Sequence, residues 1–326
     1  MNSYLRLILA LALGGVIQAA SLHSKPLAER LERLSQNFDG RVGICVEDRA
    51  NMVCENGMQR FSLQSVMKLI VAVAVMDRVD NRDWSLNEAL IVHKQDLSVF
   101  VQPLADLVTD QGYRTTIGDL VRRAIVDSDS AASDILMARL GGPAQVQSFL
   151  DRKGIAGVRV DRDEKHLQTE ILGLEWRTEF LDPAALQRAM DSLPEPTRDA
   201  AYRRYQADER DTATARGMSS FLLALATGKL LSPESTAHVL NVMANTVTFP
   251  DRLKAGLETG WTLAHKTGTS GDWKGVTAAT NDVGILTAPG GGRFAIVVFI
   301  GDSREPATRR AALMAGAARV AIANYW

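Results

Sequence analysis

The sequence predicts a two-lobed α/β fold with a site in the cleft between the lobes. Strand patterns stand near both ends of the chain, at residues 41–47, 52–55, 280–286 and 294–300, while the stretch 65–242 is mostly helical in pattern. At 326 residues, 46% hydrophobic and 23% charged, the chain can bury one large core or two modest ones. Strands at both ends around a helical middle imply that the ends fold together. Residues 21–62 plus 243–326 are assigned to an α/β lobe, and 63–242 to a helical lobe packed on it. Clefts between lobes favour ligand sites.

The elements follow in order. Residues 1–20 read as a secretory signal peptide: Arg6 is the only early cation, residues 7–17 are apolar or glycine, and Ala19-Ala20-Ser21 supplies small residues for cleavage. The expected protein is therefore secreted to the periplasm, with no membrane anchor once the leader is removed. Leu27, Leu31, Leu34 and Phe38 recur at helical spacing and predict an amphipathic helix over 26–38. A hairpin follows, 41–47 then 52–55. If Arg49-Ala50 are its turn residues, Cys45 faces Cys54 at a non-hydrogen-bonded pair, close enough for a bridge; one more turn residue would leave two free thiols. Leu69 to Met76 is an unbroken apolar run, read as a buried helix. Asp182-Pro183 and Pro196 are good helix starts ahead of 184–190 and 197–205. Residues 280–286 and 294–300 form a second hairpin across Ala-Pro-Gly-Gly-Gly-Arg, and a helix over 307–324 closes the chain.

With 37 basic and 38 acidic residues the net charge is -1, which argues against nucleic acid or an anionic membrane surface as partner. The histidines, His23, His93, His166, His238 and His265, lack metal-ligand spacing, so no metal and no cofactor is predicted. His265 reads as a strand residue, not a base.

The chemistry starts at Ser65-Val66-Met67-Lys68. Serine and lysine three apart share a helix face, and a desolvated amine beside a hydroxyl can take its proton during nucleophilic attack. Alone the motif is weak, since a chain of this length yields about one by chance. Three further motifs follow it: Ser128-Asp129-Ser130, the stretch Asp161 to Gln168 containing Glu164, and Lys266-Thr267-Gly268-Thr269-Ser270. In this order they resemble the Ser-x-x-Lys, Ser-Asp-Asn, Glu-x-x-Leu-Asn and Lys-Thr-Gly signatures of the class A serine β-lactamases, within the wider family of penicillin-recognising enzymes. The likeness runs through Glu209-Arg210-Asp211-Thr212 and Leu225 to Leu231 to the terminal Trp326.

The resemblance implies an antiparallel sheet of about five strands flanked by helices and a β-lactam antibiotic as substrate; separately, the protein is expected to be a monomer, though no motif bears on its oligomeric state. Ser65 becomes the acylated nucleophile and Lys68 serves its proton transfers. The backbone N–H groups of Ser65 and Thr269 form the oxyanion hole. Ser128 protonates the leaving nitrogen with help from Lys266, and Lys266, Thr267, Gly268 and Thr269 bind the substrate carboxylate side. Glu164 activates the water that releases the ester, unless it is a solvated surface residue. Arg162 and Asp211 match the pair that ties the ends of this loop.

Three departures and two open roles qualify the likeness. Ser130 and Gln168 stand where the family has Asn, so the substrate side chain meets a shorter group and the water a longer amide. Arg252 matches an arginine that some members aim at the substrate carboxylate, or is an ordinary surface arginine. Phe100 is either an aromatic wall at the cleft or a core residue. Finally, 47 positions separate Glu164 from Asp211, about thirty more than the family's loop, and connections beyond roughly 15 residues without structure are uncommon. The surplus, about 169–207, should fold as a small helical insertion that either shapes substrate entry or sits outside as an ornament.

Two other readings share the serine and lysine machinery. A D,D-peptidase or slow penicillin-binding protein would lack an efficient deacylating base, and a covalent β-lactam sensor would need a membrane segment or partner domain. Glu164 separates the first reading from both.

Overall fold

The computed structural model describes residues 22–325; the predicted leader at 1–20 and Trp326 lie outside the described residues. The first lobe is a sheet. Strands β1 (Arg41–Glu47) and β2 (Met52–Glu55) come from the chain's beginning. Short strands in the middle, β3 (Arg60–Ser62) pairing with a later one, and β4 (Ala89–Val92) with β5 (Tyr113–Thr116), make two separate two-stranded ladders. The partner of β3 is β6 (Thr212–Thr214). The end of the chain supplies β7 (Thr262–Thr269), β8 (Asp272–Trp273), β9 (Val276–Thr287) and β10 (Arg293–Ser303). The main sheet is antiparallel in the order β2-β1-β10-β9-β7, with β8 as a short addition to β9. The expected five strands are its main path.

Both faces of this sheet are covered, which is why β10 reads as a continuous apolar run without polar alternation. Phe294, Ile296, Val298 and Ile300 pack toward helices α1 (Ser24–Ser35) and the last helix, Ala307–Ile322. Ala295, Val297 and Phe299 point the other way, into the core shared with the helical lobe. That lobe is built around α2 (Met67–Asp80), buried from Met67 to Asp77. A helix apolar all round has no solvent face to offer and must be central. Around it lie α3 (Ile117–Arg122), α4 (Ser130–Leu140) and α5 (Pro143–Arg152). Next come α6 (Glu164–Leu172), α7 (Pro183–Ser192), α8 (Glu195–Ala207), α9 (Ala215–Ala226) and α10 (Pro233–Ala244), and the last helix is α11.

The first hairpin has the predicted register: Asp48 N–H donates to Asn51 O at 2.9 Å, and Cys45 faces Cys54 and is bridged to it. Helix α1 ends at Ser35, short of Phe38, because Asn37 adopts φ 59°, a left-handed conformation that stops a helix. Phe38 still packs on the core from the following loop. Strand β9 starts four residues before the predicted Thr280. Its extra residues, Val276-Thr277-Ala278-Ala279, lack an apolar pattern because a tyrosine hydroxyl serves their backbone: Tyr202 of α8 donates to Val276 O at 2.8 Å and accepts from Ala278 N at 2.9 Å. The segment marked as surplus is helical, as α7 and α8 begin at the two proline starts, with Asp182 accepting from Ala184 N as the cap of α7.

Candidate active site

Helix α2 positions the first two residues. A single 3-10 turn, Gln64–Val66, leads into it, and Leu63, Val66, Met67 and Leu69 are all fully buried, so the start of the helix cannot shift. Ser65 is half-buried in that turn. Lys68 is wholly buried, and a buried amine needs hydrogen-bond partners. It donates to Ser128 O at 2.6 Å and to Ser130 Oγ at 3.0 Å, and its Nζ lies 3.6 Å from Glu164 Oε1.

Those two serines come from one tight bend. A π-helical turn over Arg123–Asp127 ends at Ser128 in the left-handed region, φ 58° and ψ 35°. A non-glycine residue held there costs about 1–3 kcal/mol. The bend aims the Ser128 carbonyl at Lys68 and its hydroxyl at Lys266 Nζ, 2.9 Å away. Asp129 holds the bend by accepting from Ala132 N at 2.9 Å and Leu104 N at 2.6 Å, capping α4.

Strand β7 forms the opposite wall. Lys266 is fully buried, and burial, with the Lys68 charge adding, lowers its pKa well below the usual amine range. A Cβ on Gly268 would stand 2.7 Å from Leu63 O and 3.2 Å from Ser65 N, so only glycine lets the strand come this close to the serine. Ser270 N–H donates across to Ala279 O on β9, and alternation then turns the Thr269 N–H away from β9 toward the open edge. The Ser65 N–H belongs to a first helical turn, whose donors have no partner within the helix. Asn281 of β9 ties the walls together through Nδ2, which donates to Ser62 O at 2.8 Å and Leu63 O at 3.0 Å.

Arg252 is 4% exposed, which excludes an ordinary surface arginine. Its guanidinium donates to Thr269 Oγ1 at 2.7 Å and Asn281 O at 2.9 Å and lies 3.7 Å over the Phe249 ring. Burial lowers its pKa to about 10. Thr267 Oγ1 is 2.6 Å from Thr248 Oγ1. His265 is buried in β7 with Nδ1 2.8 Å from Asp282 Oδ1, as a strand residue.

The third wall is the long loop. Arg162 and Asp211 close it: the guanidinium donates to Asp211 Oδ2 at 2.6 Å, and Asp211 Oδ1 accepts the backbone N–H groups of Asp161 and Arg162. Glu164 is the first residue of α6 and is 1% exposed, so it is not a solvated surface residue. Asp134 of α4 locks its backbone, accepting from Glu164 N at 2.8 Å and Lys165 N at 3.2 Å, with Ser98 Oγ donating to it at 2.7 Å. Desolvation, with the charges of Asp163 and Glu164 adding, pushes the Asp134 pKa up to about 7. Gln168, one helical turn after Glu164, donates to Glu164 Oε2 at 3.3 Å and to Gln64 Oε1 at 2.9 Å. Gln64 Nε2 in turn donates to the Tyr205 hydroxyl of α8, and Tyr205 donates to Ser62 Oγ at 2.9 Å.

The structure brings every sequence-derived candidate into this one constellation. Phe100 is 52% exposed beside the cleft, which excludes a core role; Ser130 N–H donates to the adjacent Val101 O at 2.8 Å. Four contributors were not singled out from the sequence: Asp134, Gln64, Tyr205 and Asn281. Gln64 stands directly before the nucleophile candidate, a signal that could have found it. The others reach the site only through tertiary contacts.

Comparison with known proteins fits this geometry. Residues 26–326 match the β-lactamase enzyme family. The extended-spectrum β-lactamase PER-1 of Pseudomonas aeruginosa is 28% identical, the match covering 92% of this chain and 88% of the relative. β-Lactamase VEB-1 of the same organism is 26% identical over 98% and 97%. Among solved structures, an ancestral class A β-lactamase superposes with a TM-score of 0.73 at 29% identity, covering 91% of this chain and 99% of that one. A β-lactamase from Chitinophaga pinensis gives 0.74 at 26% identity, over 90% and 97%. With its signatures, its fold and nearly its whole length in agreement, the chain belongs to the β-lactamase enzyme family, as a class A serine β-lactamase.

Proposed function

We propose that the protein is exported to the periplasm and there opens the β-lactam amide of penicillins and cephalosporins through a Ser65 acyl-enzyme that Glu164 helps to hydrolyse. The observation that carries this reading is the contact of buried Lys68 with Ser128, Ser130 and Glu164 at once. In acylation Ser65 Oγ attacks the lactam carbonyl carbon. Its proton leaves toward the Lys68 amine, the carbonyl oxygen takes charge facing the Ser65 and Thr269 N–H groups, and the C–N bond breaks as Ser128 protonates the nitrogen and is reprotonated in turn from Lys68. Lys266, beside Ser128, offsets the charge of the departing group and of a substrate carboxylate, and Arg252 reaches the same place through Thr269.

In deacylation water attacks the ester carbonyl, Glu164 takes its proton, and Ser65 recovers one as the ester bond breaks. Glu164 Oε1 accepts no hydrogen bond among the described residues, which leaves that oxygen available for the task. Gln168 orients the other oxygen. A buried, oriented carboxylate beside Lys68 favours hydrolysis over the D,D-peptidase reading. Export is supported by the leader-like sequence and by the Cys45–Cys54 bridge, which suits an oxidising compartment. Among the described residues no helix is long and apolar enough to cross a membrane.

Intact-mass time courses with benzylpenicillin test the reading. The parent should turn substrate over, Ser65→Ala should form no adduct, and Glu164→Ala should accumulate a long-lived acyl adduct. Prompt turnover by Glu164→Ala removes that residue as the base, and a permanent adduct on the parent makes the protein a penicillin-binding protein.

A further inference from the structure

Away from the cleft, a cavity of about 540 Å³ opens between helix α10 and the sheet end formed by the start of β7, the end of β9 and the start of β10. Its size falls in the range of small-molecule sites, roughly 300–1,000 Å³. Three features give it a chemical character. Its apolar wall is Leu240 of α10, Ala264 of β7 and Ile285 of β9. Two guanidinium groups line it, Arg49 from the turn of the first hairpin and Arg293 at the start of β10. No carboxylate is among its lining residues, and neither arginine forms an ion pair or side-chain hydrogen bond among the described residues. Both arginines are exposed, and their charges beside an apolar wall give the cavity a positive end and a greasy body.

Two donors stand on the same walls. Thr236 is 6% exposed and its hydroxyl has no hydrogen-bond partner among the described residues. The alternation that turns Thr269 N–H outward also turns Leu263 N–H to the unpaired edge of β7, six residues earlier on the same strand.

We propose that this cavity binds an amphipathic monocarboxylate, with its anionic head between Arg49 and Arg293 and its apolar body against Leu240, Ala264 and Ile285. The inference is independent of β-lactam hydrolysis, because none of these side chains belongs to the catalytic constellation.

Decanoate below its micellar concentration is the probe, with binding followed by ligand-observed NMR and calorimetry on the mature protein. Saturable binding is expected, weakened at least tenfold in Arg49→Ala/Arg293→Ala and also in Leu240→Trp, which fills the apolar end. Both variants should hydrolyse benzylpenicillin like the parent, which shows that they fold. Decyltrimethylammonium, with the same body and the opposite charge, should not compete. Three results would overturn the proposal: no saturable binding, decanoate binding indifferent to both variants, or displacement by the cation or by inorganic phosphate at equal concentration.

Discussion

The two sides of the cleft are held in different ways. The side that carries Ser65, Lys68, Ser128 and Lys266 is fixed by core elements: a buried helix, a bend capped by Asp129, and a strand that touches the helix start through Gly268. The side that carries Glu164 and Gln168 hangs on a loop closed by one buried ion pair and oriented by side chains from α4 and α8 and from the turn before Ser65. Backbone packing can be rebuilt from many sequences, but a network of single side chains fails when one is lost. The rate of ester formation should therefore resist remote substitutions that slow ester release.

Removing a charge from the rigid side should have the largest effect. Lys266→Ala deletes the donor to Ser128 and the cation nearest the departing group, and we expect kcat/KM for benzylpenicillin to fall about 10²- to 10³-fold. Stopped-flow acylation rates check this, and a loss confined to deacylation would break the contrast between the sides.

On the loop side, Arg162→Ala should cost about 3–5 kcal/mol, because it leaves the buried Asp211 carboxylate without its counter-ion. Urea unfolding measures the loss, and mass spectrometry should show acyl-enzyme accumulating. Loss of stability with unchanged ester release would mean that the loop positions Glu164 without the ion pair.

A smaller, more selective change is Tyr205→Phe. It removes the hydroxyl that accepts from Gln64, whose carbonyl orients Gln168, while keeping the ring packed against Leu167 and Ile171. Deacylation should slow by about fivefold, the size of one hydrogen bond worth about 1 kcal/mol, with acylation unchanged. Rapid-quench measurement of the two steps distinguishes this from a general loss of fold.

The same contrast explains what could be read from the sequence. Ser65 and Lys68 are three apart, Ser128 and Ser130 two apart, and Lys266 to Thr269 contiguous, so local geometry alone nearly places them. The hairpin register that pairs Cys45 with Cys54 is likewise set by a two-residue turn. Tyr205 and Gln64 are 141 residues apart and Asp134 and Glu164 are 30 apart; no periodicity links such pairs, and only the folded chain brings them together. The small β3–β6 and β4–β5 ladders were missed for the same reason, since strands of three or four residues carry little pattern.

Asp134 tests the loop side through pH, where the sign is definite. Its folded pKa of about 7 stands above the roughly 3.9 of an unfolded aspartate, so between these values the folded protein binds more protons than the unfolded chain. Its contribution to stability is then most favourable below about pH 4 and is lost as pH rises through about 7. Asp134→Asn keeps an acceptor for the Glu164 N–H but cannot ionise. The unfolding free energy of the variant relative to the parent should therefore rise between pH 5 and 7, by on the order of 1 kcal/mol per pH unit. Urea curves at three pH values read this slope. Parallel curves would mean that the donors from Glu164, Lys165 and Ser98 keep the carboxylate ionised in spite of burial, so that the backbone beneath Glu164 is held by a permanent charge and ester release gains no pH dependence from this residue.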